Sequence, residues 1–283
     1  MRWAAGSASP SCRRHMYTPM QSLRVKGSAG DPLPPVFQAL EMKGTRFLRG
    51  QLALVCAGPG TGKSAFVLTY ALKARVPTLY FSADSDAFTQ LNRMVSIQTA
   101  WSMERSARAV RNSDLTEVAE EFEDIPIRFN YNASPSLDQI EDSMKAYCQG
   151  YGDYPDLVVV DNITNVRSGG GEDDDPFSGL ESMMDYLHTM ARNTGACVVG
   201  LHHVTGSYND ADKPIPLSGV KGQITRVPEL VLTLHRVSEE FGPEALRVST
   251  VKNRAGRMDP SGLDFVELEF IGDTMQIRDP SNQ

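Results

Sequence analysis

The sequence predicts an α/β fold: a mostly parallel central sheet flanked by helices, with antiparallel strands at the C-terminal end. Three observations carry this reading. From residue 51 onward, short and nearly continuous apolar runs alternate with stretches of helical length, the pattern of parallel strands covered on both faces. A glycine-rich turn, 57-AGPGTGKS-64, stands between the first apolar run and a helical stretch. The last three β-rich runs follow one another closely, with turn residues between them.

Taken in chain order, residues 1–35 are rich in Gly, Ser and Pro and poor in large apolar side chains, which predicts a flexible N-terminal arm. The run 36-VFQALEMK-43 predicts a short helix packed on the core or on a neighbouring subunit. The strand candidates are 51-QLALVCA-57, 78-TLYFSA-83, 157-LVVVD-161, 197-CVVGLH-202 and 230-LVLTLHR-236. Between them, 64-SAFVLTYALKA-74 and 179-GLESMMDYLHTMARNT-194 have helical periodicity. The final runs 245-ALRVSTVK-252, 264-DFVELEF-270 and 274-TMQIRD-279 predict antiparallel strands. The glycine-rich and acidic run 168-SGGGEDDDP-176 predicts a surface loop beside a strand end. Residues 36–283 thus form the domain.

A chain of 283 residues, 41% of them hydrophobic, can bury a full core. Its net charge of −7 argues against coating duplex DNA by bulk charge, but leaves room for a narrow nucleic-acid site. The four cysteines Cys12, Cys56, Cys148 and Cys197 show no metal-ligand spacing, and two sit in apolar runs, so free thiols in a reducing cytoplasm are expected. No apolar run approaches the length of a membrane span.

The turn 57-AGPGTGKS-64 carries the chemistry. Backbone N–H groups in such a turn point inward, and the following helix adds the positive end of its dipole. Ala57, Gly58, Pro59, Gly60, Thr61, Gly62, Lys63 and Ser64 together predict a phosphate cradle. Lys63 reaches the β- and γ-phosphates and the Ser64 hydroxyl holds Mg²⁺. An acid is then required at the tip of a neighbouring strand, and 157-LVVVDN-162 supplies Asp161 as a ligand of the ion or of its bound water.

The blocks 50-GQLALVCAGPGTGKSAFVLTYAL-72, 80-YFSADSD-86, 157-LVVVDNI-163, 199-VGLHHVTG-206 and 249-STVKNRAG-256 together resemble the RecA-like core of DnaB-type hexameric replicative helicases, in a compact form that would fit a phage. The resemblance runs over about residues 36–278. It implies a RecA-like P-loop ATPase using ATP and Mg²⁺, assembled as a homo-oligomeric, hexameric ring on single-stranded DNA. In the family, an acid at the end of the second strand, commonly Glu, polarises the attacking water; here Asp84 stands at that place, with Asp86 as a possible substitute. His203 matches the γ-phosphate sensor, while His202 is expected to point the other way. Lys252 and Arg254 match a Lys-x-Arg element that reaches across the subunit boundary to the neighbour's γ-phosphate. Alternation along 246-LRVSTVKNR-254 places these two on one face and Arg247, Ser249, Val251 and Asn253 on the other. Arg257 reads as surface or as a DNA-facing charge. The segment 205-TGSYNDADKPIPLSGVKG-222 matches the DNA-tracking loop, offering Lys213, Lys221, Tyr208 and the N–H groups around Gly219 and Gly222.

The leading expectation is an ATP-hydrolysing motor that translocates on or unwinds DNA in replication or recombination. The alternative is a slow, nucleotide-gated assembly protein, RecA- or KaiC-like, acting on a partner protein. A small-molecule kinase would want an arginine-rich lid that the sequence does not show.

Overall fold

The computed structural model describes residues 16–167, 176–237 and 244–280. Nine strands form one sheet in the order β3-β2-β4-β5-β1-β6-β7-β8-β9. They are β1 (Leu52–Cys56), β2 (Thr78–Ser82), β3 (Ile127–Asn130), β4 (Leu157–Asp161), β5 (Cys197–His202), β6 (Leu230–Val237), β7 (Glu244–Asn253), β8 (Phe265–Ile271) and β9 (Gln276–Arg278). Neighbours from β3 through β6 run parallel, and those from β6 through β9 antiparallel. The switch comes where the helical connections stop, because a parallel partner needs a crossover and an antiparallel one needs only a turn.

The helices are α1 (Pro19–Val25), α2 (Gln38–Met42), α3 (Lys63–Ala74), α4 (Ala87–Thr99), α5 (Met103–Arg111), α6 (Ala119–Glu123), α7 (Leu137–Tyr151) and α8 (Pro176–Thr194). They sandwich the sheet between two apolar layers. Ala53 and Val55 of β1 face the layer that holds Phe66 and Leu68 of α3. Leu52, Leu54 and Cys56 face the layer holding Ile140 of α7 and Leu187 of α8. This alternation within one fully buried strand follows from the two-residue period of the pleat, and explains why β1 reads as a continuous apolar run.

Strand β3 escaped the sequence reading. It is four residues long, lies at the sheet edge, and its sequence IRFN buries only Ile127. A half-exposed edge strand carries too little apolar signal to stand out.

The described part of the N-terminal arm is not detached throughout. Thr18 and Gln21 cap α1 reciprocally, and the chain meets the core before residue 36. Gly30 N–H donates to the Arg49 carbonyl at 2.8 Å, and Leu33 N–H to that of Phe47 at 2.9 Å. Residues 1–15 of the arm lie outside the described residues, as do 168–175 of the acidic loop. The two ends of the domain are tied together at α2. Its first residues have no capping side chain of their own. The Asp279 carboxylate accepts from the N–H groups of Gln38 and Ala39, at 2.8 and 2.9 Å, satisfying donors that a helix start leaves open.

Burial pushes the thiols of Cys56 and Cys197 up to about 12. Reaction requires the thiolate, so both should resist iodoacetamide in the native protein at pH 8 and be alkylated in urea. Peptide mass mapping reads the difference; labelling of either in the native state would contradict the packing described.

Candidate nucleotide-binding site

The carboxyl ends of β1, β2, β4 and β5 open into a cleft of about 350 Å³, the place where open α/β sheets gather ligands. Pro59, Gly60, Gly62, Lys63, Ser64, Asp84 and His203 all line it, so residues from distant parts of the sequence meet there. The turn after β1 is shaped by Gly60 and Gly62, at φ 73° and 110°, a region open to glycine at little cost. Nothing lies within 4 Å of a Cβ built on Gly60, so the backbone is bare on the cleft side. Ala57, by contrast, is wholly buried at the end of β1, where a methyl group is accommodated in the core.

Lys63 is buried, and its Nζ donates to the carbonyls of Ala57 and Gly58, both at 3.0 Å. Burial lowers its pKa, while Cys56, Asp161 and Asp84 oppose that shift. The ammonium is therefore poised at the lip of the turn, with acids of two strands beside it.

Asp161 is 1% exposed at the tip of β4. Desolvation is the main reason its pKa is raised; hydrogen bonds from Ser64 and Tyr80 hold it down, and Asp84 adds to the rise. The Tyr80 hydroxyl donates to its Oδ2 at 2.9 Å. A carboxylate and a hydroxyl meeting beside a phosphate cradle form an oxygen donor set of the kind Mg²⁺ takes, with few protein ligands. The site fits that ion. Its floor also holds Asn162 Oδ1, a buried oxygen without a partner among the described residues.

The backbone of the next strand tip is fastened to the same point. Ala83 and Asp84 N–H both donate to the Asp161 carbonyl, at 2.8 and 3.2 Å. This leaves the Asp84 side chain exposed at the cleft. Asp86 serves the helix instead, since its carboxylate accepts from Thr89 N–H at 2.8 Å and caps α4. That hydrogen bond holds its pKa down.

His203 and His202 diverge, as adjacent strand residues do. His203 lines the cleft, with Nε2 3.0 Å from Asn162 Nδ2. Burial and then Lys63 lower its pKa, against an opposing pull from Asp84. With the Asn162 amide donating to Nε2, the ring proton resides on Nδ1. His202 turns away, and its Nε2 donates to the Lys221 carbonyl at 2.8 Å.

The DnaB-like helicase C-terminal domain family matches residues 33–279. The chain belongs to that family. It is 71% identical over 265 residues to the Gene 65 protein of Mycobacterium phage L5, covering 93% of this chain and 99% of that one. It is 70% identical over 229 residues to the Gene 65 protein of Mycobacterium phage D29, covering 81% and 99%. Among solved structures, a DnaB-like replicative helicase superposes with a TM-score of 0.77 at 17% identity, over 93% of this chain and 65% of that one. The RecA-like core and the similarity to compact phage relatives, both expected from the sequence blocks, hold.

Lys252 and Arg254, expected from the resemblance to form a Lys-x-Arg element, take a different position from the cradle residues. Lys252 and Arg254 do not line the cleft of their own chain. Lys252 Nζ donates to the carbonyls of Thr225 and Arg226 at 2.6 and 2.8 Å, and Arg254 Nη2 to that of Arg226 at 2.9 Å. Both cations thus sit on the carbonyl end of the 3₁₀ helix Lys221–Arg226, where positive charge is favoured. Glu229 pairs with Arg254 at 3.5 Å. The two do share a side, but strict alternation fails. The β6–β7 register shifts between Val231 and Leu232, and a bulge lets successive residues leave the two-residue period. Val251 joins the same apolar layer as Val231, while Asn253 turns to the Gly44 carbonyl.

The 205–222 segment, expected from the resemblance to track DNA, is more firmly held than its polar composition predicts. Ala211, Ile215, Gly219 and Val220 are buried. Thr233 Oγ1 donates to the Ile215 carbonyl at 2.7 Å, and Arg236 N–H to that of Ala211 at 2.7 Å. The Gly219 N–H is used within the segment, on Pro216 at 2.8 Å, so it is not free for phosphate. Tyr208 packs against Gly219 and beneath Lys213, whose Nζ lies 5.3 Å from its ring centre. The Lys221 side chain is exposed, and Arg257 is exposed beside Asp264 at 3.3 Å.

Sequence reasoning missed Arg93, Asn162, Arg236, Phe270 and Met275, which also line the cleft. Asn162 follows Asp161 directly and was within reach of the strand-tip argument. The others come from α4 and from the C-terminal strands and their turn, which only the folded chain brings to the cradle.

A Cβ on Gly58 would lie 2.0 Å from the Asn209 carbonyl oxygen. Gly58→Ala should therefore displace either the cradle or the 205–222 segment and destabilise the protein by about 1–3 kcal/mol. Thermal unfolding measures this, and an unchanged midpoint would argue against the contact.

Proposed function

We propose that this protein is an ATP-hydrolysing motor that forms a hexameric ring, binds single-stranded DNA and translocates on or unwinds DNA in the host cytoplasm. The observation that carries the reading is the convergence of Lys63, Ser64, Asp84 and His203 on one cleft, with Asp161 buried against Ser64, in a chain of the DnaB-like family. Lys63 and the N–H groups of the 57–64 turn bind the β- and γ-phosphates. Ser64 and Asp161 hold Mg²⁺, which when bound neutralises charge developing on the phosphates. Asp84 orients the attacking water and accepts its proton. His203, through Nδ1–H, reads the γ-phosphate and passes its loss along the strand tip to the 205–222 segment. Lys221 N–H donates to the His203 carbonyl at 3.2 Å, so sensor and DNA segment share a hydrogen bond. Lys252 and Arg254 leave their carbonyl perch to reach the γ-phosphate of the neighbouring subunit.

ATP turnover by the natural chain should rise when single-stranded DNA is added, and DNA binding should weaken as salt rises. Lys63→Ala should lower kcat by about 10²–10³-fold. Intact nucleotide binding without stimulation by any polynucleotide would favour a nucleotide-gated assembly protein instead.

A partner-supplied arginine contributes roughly 10³–10⁵ in rate. Arg254→Ala subunits lack the finger, and Lys63→Ala subunits lack the cradle lysine. Mixed together they should recover part of the turnover that each lacks alone, at interfaces that pair an intact cradle with an intact finger. Mixtures as inactive as their components would sink the cross-subunit role.

A further inference from the structure

We propose that Arg93 is a positioning residue that sets the reach of Asp84 by holding the turn that bears it. The inference rests on the hydrolytic reading above and deepens it. Asp84 is one methylene shorter than the glutamate expected at this place, a deficit of about 1.5 Å. Near-attack geometry is sensitive to errors of that size, so the position of the turn must supply what the side chain does not.

The turn 82–86 is held from two sides. On the β4 side, Ala83 and Asp84 N–H bind the Asp161 carbonyl, and Asn165 Nδ2 donates to the Ala83 carbonyl at 3.3 Å. On the α4 side, Gln90 Nε2 donates to Ser82 Oγ at 2.8 Å, and Ser82 Oγ to the Ser85 carbonyl at 2.6 Å. Arg93 lies one helical turn beyond Gln90, on the same face of α4. Its Nη1 donates to Ser85 Oγ at 3.1 Å, so it grips the residue next to Asp84.

Arg93 is half-buried and lines the cleft together with Lys63, Asp84 and His203. No ion pair within 4 Å involves it among the described residues. Its charge nevertheless acts on Asp161 and Tyr80, and its side-chain hydrogen bond is the one to Ser85. A guanidinium suits this position because its planar fork donates in fixed directions and stays charged when partly buried. The α4 clamp thus offsets the short acid by fixing its backbone; Gln90 alone holds the Ser85 end only through the Ser82 hydroxyl, and leaves the Ser85 side chain without its grip.

The test is DNA-stimulated ATP turnover by the full chain and by Arg93→Met, Arg93→Lys, Ser85→Ala and the Arg93→Met/Ser85→Ala double variant. Affinity for a fluorescent ATP analogue is measured in parallel. Arg93→Met should lower kcat by about 10²-fold, with KM and analogue affinity within about twofold of the natural chain. Arg93→Lys should recover part of the loss. Ser85→Ala should lower kcat by itself and add little to Arg93→Met, as expected of residues acting as one unit. An unchanged kcat in Arg93→Met or in Ser85→Ala overturns the proposal. So does a fall in analogue affinity with kcat preserved, which would make Arg93 a phosphate-holding cation, and so do fully additive losses. Should Arg93→Met fail to fold, Ser85→Ala and Arg93→Lys still decide. Absence of turnover in the natural chain overturns the hydrolytic reading and this inference with it, whereas turnover that survives Arg93→Met overturns the inference alone.

Discussion

Asp161, an almost completely buried carboxylate at the tip of β4, is the point on which the cleft depends. Its side chain meets the Tyr80 hydroxyl of β2 and the Ser64 hydroxyl at the start of α3. Its carbonyl accepts from the two N–H groups that lead into the Asp84 turn. One residue therefore sets the relative positions of the 57–64 turn, the Ser64 hydroxyl and the turn that bears Asp84. Burying a carboxylate is costly unless hydrogen bonds compensate, and those hydrogen bonds come from the elements that must be aligned.

A similar arrangement holds at the neighbouring tip. The two histidines of β5 and its end point to opposite places, His203 to the cleft and His202 to the Lys221 carbonyl, because adjacent strand residues alternate. His202 thereby bonds the 205–222 segment through its ring, and His203 bonds it through its carbonyl. That segment is fastened to β6 by the Thr233 hydroxyl and the Arg236 N–H rather than left free. Gly58, pressed against the Asn209 carbonyl, gives the cradle a second contact with it.

The cationic pair at the end of β7 is held by its own chain. Lys252 and Arg254 rest on the carbonyl end of a 3₁₀ helix and beside Glu229, whose carboxylate also accepts from Leu52 N–H at 3.0 Å and lies 2.9 Å from His188 Nε2. These are hydrogen bonds at a partly exposed surface, each of modest net worth.

By itself the sequence determined the sheet class, the cradle and its strand-before, helix-after setting, and the residues brought to the cleft from β1, β2, β4 and β5. Those signals are local: an apolar run, a glycine turn, an acid or histidine at a strand end. The edge strand β3 was illegible because its four residues bury too little apolar surface. The bulge that breaks alternation in β7 was illegible because nothing in 246-LRVSTVKNR-254 marks an unpaired residue; the register with β6 creates it. The anchoring of the 205–222 segment was hidden for a related reason, since its buried residues Ala211, Ile215 and Val220 are scattered among turn-formers and meet partners from β6 and the 259–262 turn. Tertiary structure alone decided that Arg93 grips the turn carrying Asp84, that Arg236 and Phe270 close the far side of the cleft, and that Lys252 and Arg254 face away from their own cradle. Each of these depends on which strands become neighbours, and the pairs β2 with β4, β5 with β1 and β1 with β6 are not neighbours in sequence.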